Sequence, residues 1–83
     1  MDLFSPGPRS AFTRRQVHGF LLAGKLLSFS DAATSMHISQ SAFSQLIREM
    51  ERVLDLRLFE RTTRHVELTE AGQLLYQKMQ LGF

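Results

Sequence analysis

Residues 40–54, "QSAFSQLIREMERVL", repeat apolar side chains at helical spacing. Phe43, Leu46, Ile47, Met50, Val53 and Leu54 fall at i, i+3, i+4 and i+7, which makes a broad apolar stripe. Such a stripe must be covered by other elements, so the spacing predicts a helix from Gln40 to about Leu54 packed within a small bundle. The opposite face carries Ser41, Ser44, Gln45, Arg48 and Arg52. Exposed helix faces more often use Glu and Lys. Here no Asp or Glu occurs from Gln40 to Arg48, and Glu49 and Glu51 come only later. Ser39 is the expected N-cap, and Asp55 the residue of the C-terminal turn.

The neighbouring segments supply the cover. Thr13 and Gln16 have capping-box spacing, with Phe12 and Val17 placed as a hydrophobic staple. Val17, Phe20, Leu21, Gly24 and Leu27 then continue at helical spacing, which predicts a helix over 14–27 with Gly24 on its inner stripe. Ser30 is the expected cap of a short helix over 31–36, and His37 falls where the chain turns into Ser39. Residues 59–68 alternate around a polar turn, Thr62–His65, and read as a two-stranded hairpin with arginines near its tip. Thr69 caps a last helix over about 70–82, which bears Leu74, Leu75 and Met79. The fold class is therefore mainly α with a small β-hairpin: a short helix, a tight turn and a longer helix, with the hairpin behind them as a wing. Residues 1–12 contain both prolines and read as an N-terminal arm, 13–68 as the winged helix-turn-helix, and 69–83 as the start of a linker helix.

Composition narrows the function. The 83 residues make one small domain, for which a partner chain is a natural source of added stability. There is no Cys, so disulfides and thiolate metal sites are excluded. The longest apolar run, Phe20–Ala23, is far too short for a membrane span, and residues 1–12 lack the apolar centre of a signal peptide, so a cytoplasmic location without membrane association is expected. The net charge of +2 is a weak pointer to nucleic acid, and placement matters more. Most of the basic residues are Arg, suited to forked contacts with phosphate or guanine.

A helix that meets DNA needs side chains that reach base edges and no carboxylate to repel phosphate. Gln bonds adenine through N6 and N7, and Ser donates to or accepts from any base. Gln40, Ser41, Ser44 and Gln45 are the candidate base-reading residues, with Arg48 and Arg52 further along. The unpaired N–H groups of the first turn, with the Ser39 hydroxyl, offer a phosphate site. On the wing, Arg61 and Arg64 bracket the tip, and a narrow minor groove attracts Arg. Two other readings compete: a solvated face on a winged helix that binds protein, and an enzyme. The second has no foothold. His18, His37 and His65 are isolated, no nucleophile elbow or triad pattern surrounds the serines, and there is no Gly-rich phosphate loop, so no catalytic residue, metal or cofactor is expected. The apolar residues Leu74, Leu75 and Met79 either pack on their own domain or pair with a second copy.

The stretch "FSDAATSMHISQSAFSQLIREMERVLDLRLFERTTRHVELTEAG" resembles the N-terminal DNA-binding domain of LysR-type transcriptional regulators. The resemblance spans about 13–83 and is carried most specifically by "AA-x4-IS-Q-S-A-x-S", "LDLRLFERT" and "LTEAG" in that order. It implies a bacterial regulator that binds a double-stranded DNA operator as a homodimer through the linker helix, with a tetramer expected of a full-length protein. It also implies a chain that continues into an effector-binding domain of periplasmic-binding-protein type, through which alone a small-molecule effector would act. Base contacts are implied at Gln40, Ser41, Ser44, Gln45 and, in the minor groove, Arg64. Phosphate contacts are implied at Ser39, Ser44, Arg48 and Arg61, and from the first helix at Arg14 or Arg15. Phe20, Ala33, Met36, Ile38, Phe43, Ile47, Leu54 and Phe59 match core positions of the family. Three residues depart from its pattern: Ser41 stands where Pro is common, Gln45 where Arg is common, and Asp55 where Gly is frequent. The second replaces a guanine-type fork with an amide suited to adenine. The arm 1–12 is longer than usual.

Overall fold

The computed structural model describes residues 12–62 and 65–82. Its order is α1 (Arg14–Leu26), α2 (Phe29–Ser35), α3 (Gln40–Leu54), β1 (Phe59–Arg61), β2 (Val66–Leu68) and α4 (Glu70–Gly82). This is the expected winged helix-turn-helix with a following helix. The strands are antiparallel, with Phe59 opposite Leu68, Glu60 opposite Glu67 and Arg61 opposite Val66.

Local chemistry starts and stops the helices. Thr13 and Gln16 form the reciprocal capping box: the Gln16 amide donates to the Thr13 hydroxyl at 3.1 Å, and the Thr13 amide donates to Gln16 Oε1 at 3.0 Å. Phe12 and Val17, on either side of it, are both buried. Phe12 therefore belongs to the domain, whereas the rest of the expected arm, 1–11, lies outside the described residues. α1 stops one residue earlier than expected, because Leu27 turns left-handed at φ 52°. The cap of α2 is a correction. Ser28, not Ser30, accepts the Asp31 amide at 3.1 Å, and the helix begins at Phe29. The reason is tertiary: Phe29 is buried with its ring centroid 5.2 Å from that of Phe43 and 5.2 Å from that of Phe59, both edge-on. Starting the helix two residues earlier carries this ring into the core.

α3 keeps its expected bounds. Ser39 Oγ accepts the Ala42 amide at 3.0 Å, and Asp55 ends the helix at φ 56°. His37 makes the turn between α2 and α3 at φ 59°, a conformation that costs an L-residue about 1–2 kcal/mol per position and is usually given to Gly or Asn. Beneath α3 lies one core. Phe20, Phe43, Ile47, Met50, Leu58 and Phe59 are its largest fully buried side chains, and Phe20 meets Phe59 and Tyr76 edge-on at 5.6 and 6.2 Å. Burial of each such side chain contributes about 1.5–3 kcal/mol. Of the family-matched core positions, Met36 and Ile38 are partly buried and pack against this cluster; the other six are buried. Val53 is an exception on the helical stripe, left 42% exposed at its edge.

α4 packs on α1 with little clearance. A Cβ on Gly24 would lie 2.6 Å from the Tyr76 ring, so the inner-stripe glycine is what lets the two helices approach. The start of α4 is bolted to the segment between α3 and β1. Thr69 Oγ1 donates to the Arg57 carbonyl at 2.6 Å and accepts the Gly72 amide at 3.0 Å, while the Thr69 amide donates to the Leu58 carbonyl at 3.0 Å. Gly72 then sits against the Leu58 carbonyl where no side chain fits.

Candidate nucleic-acid interface

The turn from α2 to α3 projects one face of α3 outward. Gln40, Ser41, Gln45 and Arg48 are exposed and Ser44 is half-buried. Together these five line a shallow surface depression. None of their side chains is hydrogen-bonded to protein among the described residues, so their donors and acceptors face outward. The capping hydroxyl of Ser39 accepts from Ala42 and retains its own proton to donate. The structure thus brings six sequence-predicted residues, Ser39, Gln40, Ser41, Ser44, Gln45 and Arg48, to the first half of one helix. α3 also has no acidic residue in its first turn, which leaves the positive end of its dipole unopposed.

The second half differs. Arg52 is paired with Glu49 on the surface, through Nη2 to Oε2 and Nε to Oε1. The hydrogen bond from Arg52 holds the Glu49 carboxyl below its usual range. Arg48 carries no such partner among the described residues. Arg57 lies 3.9 Å from Glu60 with both side chains well exposed, a pair of small energetic consequence.

Glu51 joins the helix to the wing, a role its sequence position alone does not announce. It is the buried charged residue of the described core, 9% exposed, and it does not face solvent with Arg48 and Arg52. Its Oε2 accepts the Leu58 amide at 2.8 Å and the Phe59 amide at 3.3 Å, and its Oε1 accepts Arg61 Nη2 at 3.2 Å. The Arg61 guanidinium also lies over the Phe29 ring, 5.1 Å from its centroid. Each charged hydrogen bond of this kind contributes about 1.5–3 kcal/mol. A signal was present: Phe43, Ile47 and Glu51 are spaced by four, so the carboxylate lies on the buried line of the helix. Arg61, expected to meet phosphate, stands in the last pair of the hairpin before its tip, opposite Val66, with its side chain drawn back to Glu51 and 25% exposed. Arg64, the expected minor-groove residue, lies outside the described residues.

Arg14 and Arg15 are exposed in the first turn of α1, which contains no acidic residue. Two cations at the positive end of a helix dipole weaken the helix and strengthen the local field for an anion. The three residues expected at a dimer seam differ in their packing within the single chain. Leu75 and Met79 are 2% and 3% exposed within the domain's own core, so of the three only Leu74, 56% exposed, remains on the surface, with Leu81 beyond it. Among the described residues no group of His, Asp or Glu is placed to hold a metal ion, and no helix is long and apolar enough to cross a membrane.

A helix-turn-helix followed by a two-stranded wing, with no acidic residue in the first turn of the outward helix, defines a class of protein, and the chain has relatives within it. The family described as "Bacterial regulatory helix-turn-helix protein, lysR family" matches residues 14–73, and the chain belongs to that family. It is 42% identical over 67 residues to the HTH-type transcriptional regulator PerR of Escherichia coli, covering 81% of this chain and 23% of that protein. It is 48% identical over 59 residues to the HTH-type transcriptional regulator ShiR of Corynebacterium glutamicum, covering 71% of this chain and 20% of that one. The chain therefore spans less than a quarter of the length of these relatives. Among solved structures, a LysR-family transcriptional regulator of Eggerthella lenta superposes with a TM-score of 0.78 at 30% identity, covering 83% of this chain and 99% of that one. The BenM_DBD/benA site 1 DNA complex matches with a TM-score of 0.74 at 32% identity, covering 78% and 73%.

Proposed function

We propose that this domain binds double-stranded DNA sequence-selectively, with α3 in the major groove and the hairpin tip against the minor groove. The observation that carries the reading is the first half of α3. It presents Gln40, Ser41, Ser44, Gln45 and Arg48 outward with no protein partner among the described residues. Likeness to a domain solved in complex with DNA supports it. Gln40, Ser41, Ser44 and Gln45 read base edges, and Arg64 enters the minor groove. Ser39, Arg48, Arg14 and Arg15 meet phosphates, and the Ser39 hydroxyl joins the first-turn amides in that role. The regulator acts in the cytoplasm as a homodimer through α4, with Leu74 at the pairing face. A full-length chain would assemble further and take its small-molecule effector through a C-terminal domain. No catalytic step is assigned.

The test is selection of bound duplexes from a random pool, followed by affinity measurements over a range of salt. Steep salt dependence and an enriched motif are expected. Gln40→Ala should weaken binding to the enriched duplex by about 1–3 kcal/mol and relax preference at one base pair. Equal loss on random duplexes would show that Gln40 does not read bases. Absence of binding even at low salt would favour a protein-binding winged helix. Sedimentation of the chain over a concentration series tests the dimer.

A further inference from the structure

We infer that Glu51 and Arg61 are positioning residues that set the wing against the reading helix, and that Arg61 acts through this clamp and not by touching DNA. The inference rests on the proposed wing contact for its consequence, but the clamp stands on its own geometry. Glu51 projects from the buried side of α3 and gathers three donors from the wing: the Leu58 and Phe59 amides at 2.8 and 3.3 Å and Arg61 Nη2 at 3.2 Å. The two amides are those that lead into and open β1. The guanidinium extends the tie to α2 by lying over Phe29. One carboxylate thus joins the reading helix, the strand that starts the wing, and the first helix of the helix-turn-helix.

Two further observations make this a clamp and not a surface pair. The Glu51 side chain is 10% exposed and that of Arg61 25%, whereas the Arg52–Glu49 and Arg57–Glu60 pairs lie in solvent. Every polar atom of the carboxylate is used, so its geometry is set from three directions. The hairpin itself has only three residues in each strand, and a ribbon that short does not hold its own orientation. Its direction is therefore supplied from outside, by Phe59 in the core and by this carboxylate.

The test has two arms. In the free protein, Arg61→Met should raise hydrogen-exchange rates of the Phe59 and Thr62 amides about 10-fold while leaving those of α1 unchanged. Unchanged hairpin exchange would overturn the clamp. On the duplex recovered by selection, Arg61→Met and Arg64→Ala are combined in a double-mutant cycle. Each single change should weaken binding by about 10-fold, and the pair no more than either alone, since both act through the wing. Losses that multiply would show that Arg61 has its own DNA contact and overturn the positioning role. A silent Arg64→Ala would remove the wing-contact reading alone, leaving the clamp to be decided by exchange. Phe29→Leu keeps every charge in place and removes the ring beneath the guanidinium. It should reproduce the faster hairpin exchange to a smaller degree, and its failure to do so while Arg61→Met unfolds the chain would count against the clamp.

Discussion

The two halves of α3 are built for opposite purposes. From Gln40 to Arg48 the outer side chains are uncharged amides and hydroxyls with one Arg, and none is tied to the protein among the described residues. From Glu49 to Leu54 the polar side chains are engaged: Arg52 with Glu49, and Glu51 with the wing. The first half leaves its hydrogen-bonding capacity for a partner, and the second spends its capacity on orientation. A recognition surface needs both, because free donors discriminate only when the backbone that bears them is held still.

The two halves share one support. Phe43 is fully buried under the first half of α3 and stacks edge-on against Phe29, the ring that also lies beneath Arg61. Phe43→Ala should destabilise the domain by about 3–5 kcal/mol in chemical denaturation. That is a large part of the stability of any small domain, and both halves should lose function together. A loss of DNA binding with unchanged stability would show that the two are not supported in common. The far end of α3 separates stability from reading. Asp55 holds φ 56° where its family often has Gly, and Asp55→Gly should raise stability by up to about 1 kcal/mol without altering base preference. A changed preference would mean that the end of α3 takes part in reading.

Much of this arrangement was legible in the residues. The Thr13 capping box, the Ser39 cap and the turn at His37 and Asp55 are local chemistry, and short-range spacing reports local chemistry well. The outward Ser/Gln face followed from the apolar stripe opposite it. Other features depend on what packs against what. Ser28 and Ser30 are both plausible caps, and burial of Phe29 decides between them. Leu75 and Met79 announce an apolar face, but periodicity does not say whose surface covers it; the domain's own core does. Glu51 and Arg61 read as surface charges until the hairpin folds back over α3 and brings them within hydrogen-bonding distance across ten residues of sequence.

In the proposed function the outer face of α3 chooses the sequence. Gln45 tests it most directly, because an amide stands there where the family often has Arg, and the two side chains recognise different bases. Selection from a random duplex pool should be run with the wild-type chain and with Gln45→Arg at the same salt concentration. Preference at one base pair should change from adenine to guanine, with about 1–3 kcal/mol of discrimination, while every other position keeps its preference. An unchanged motif bound uniformly more tightly would contradict it, since Gln45 would then contribute only a position at which charge can be added.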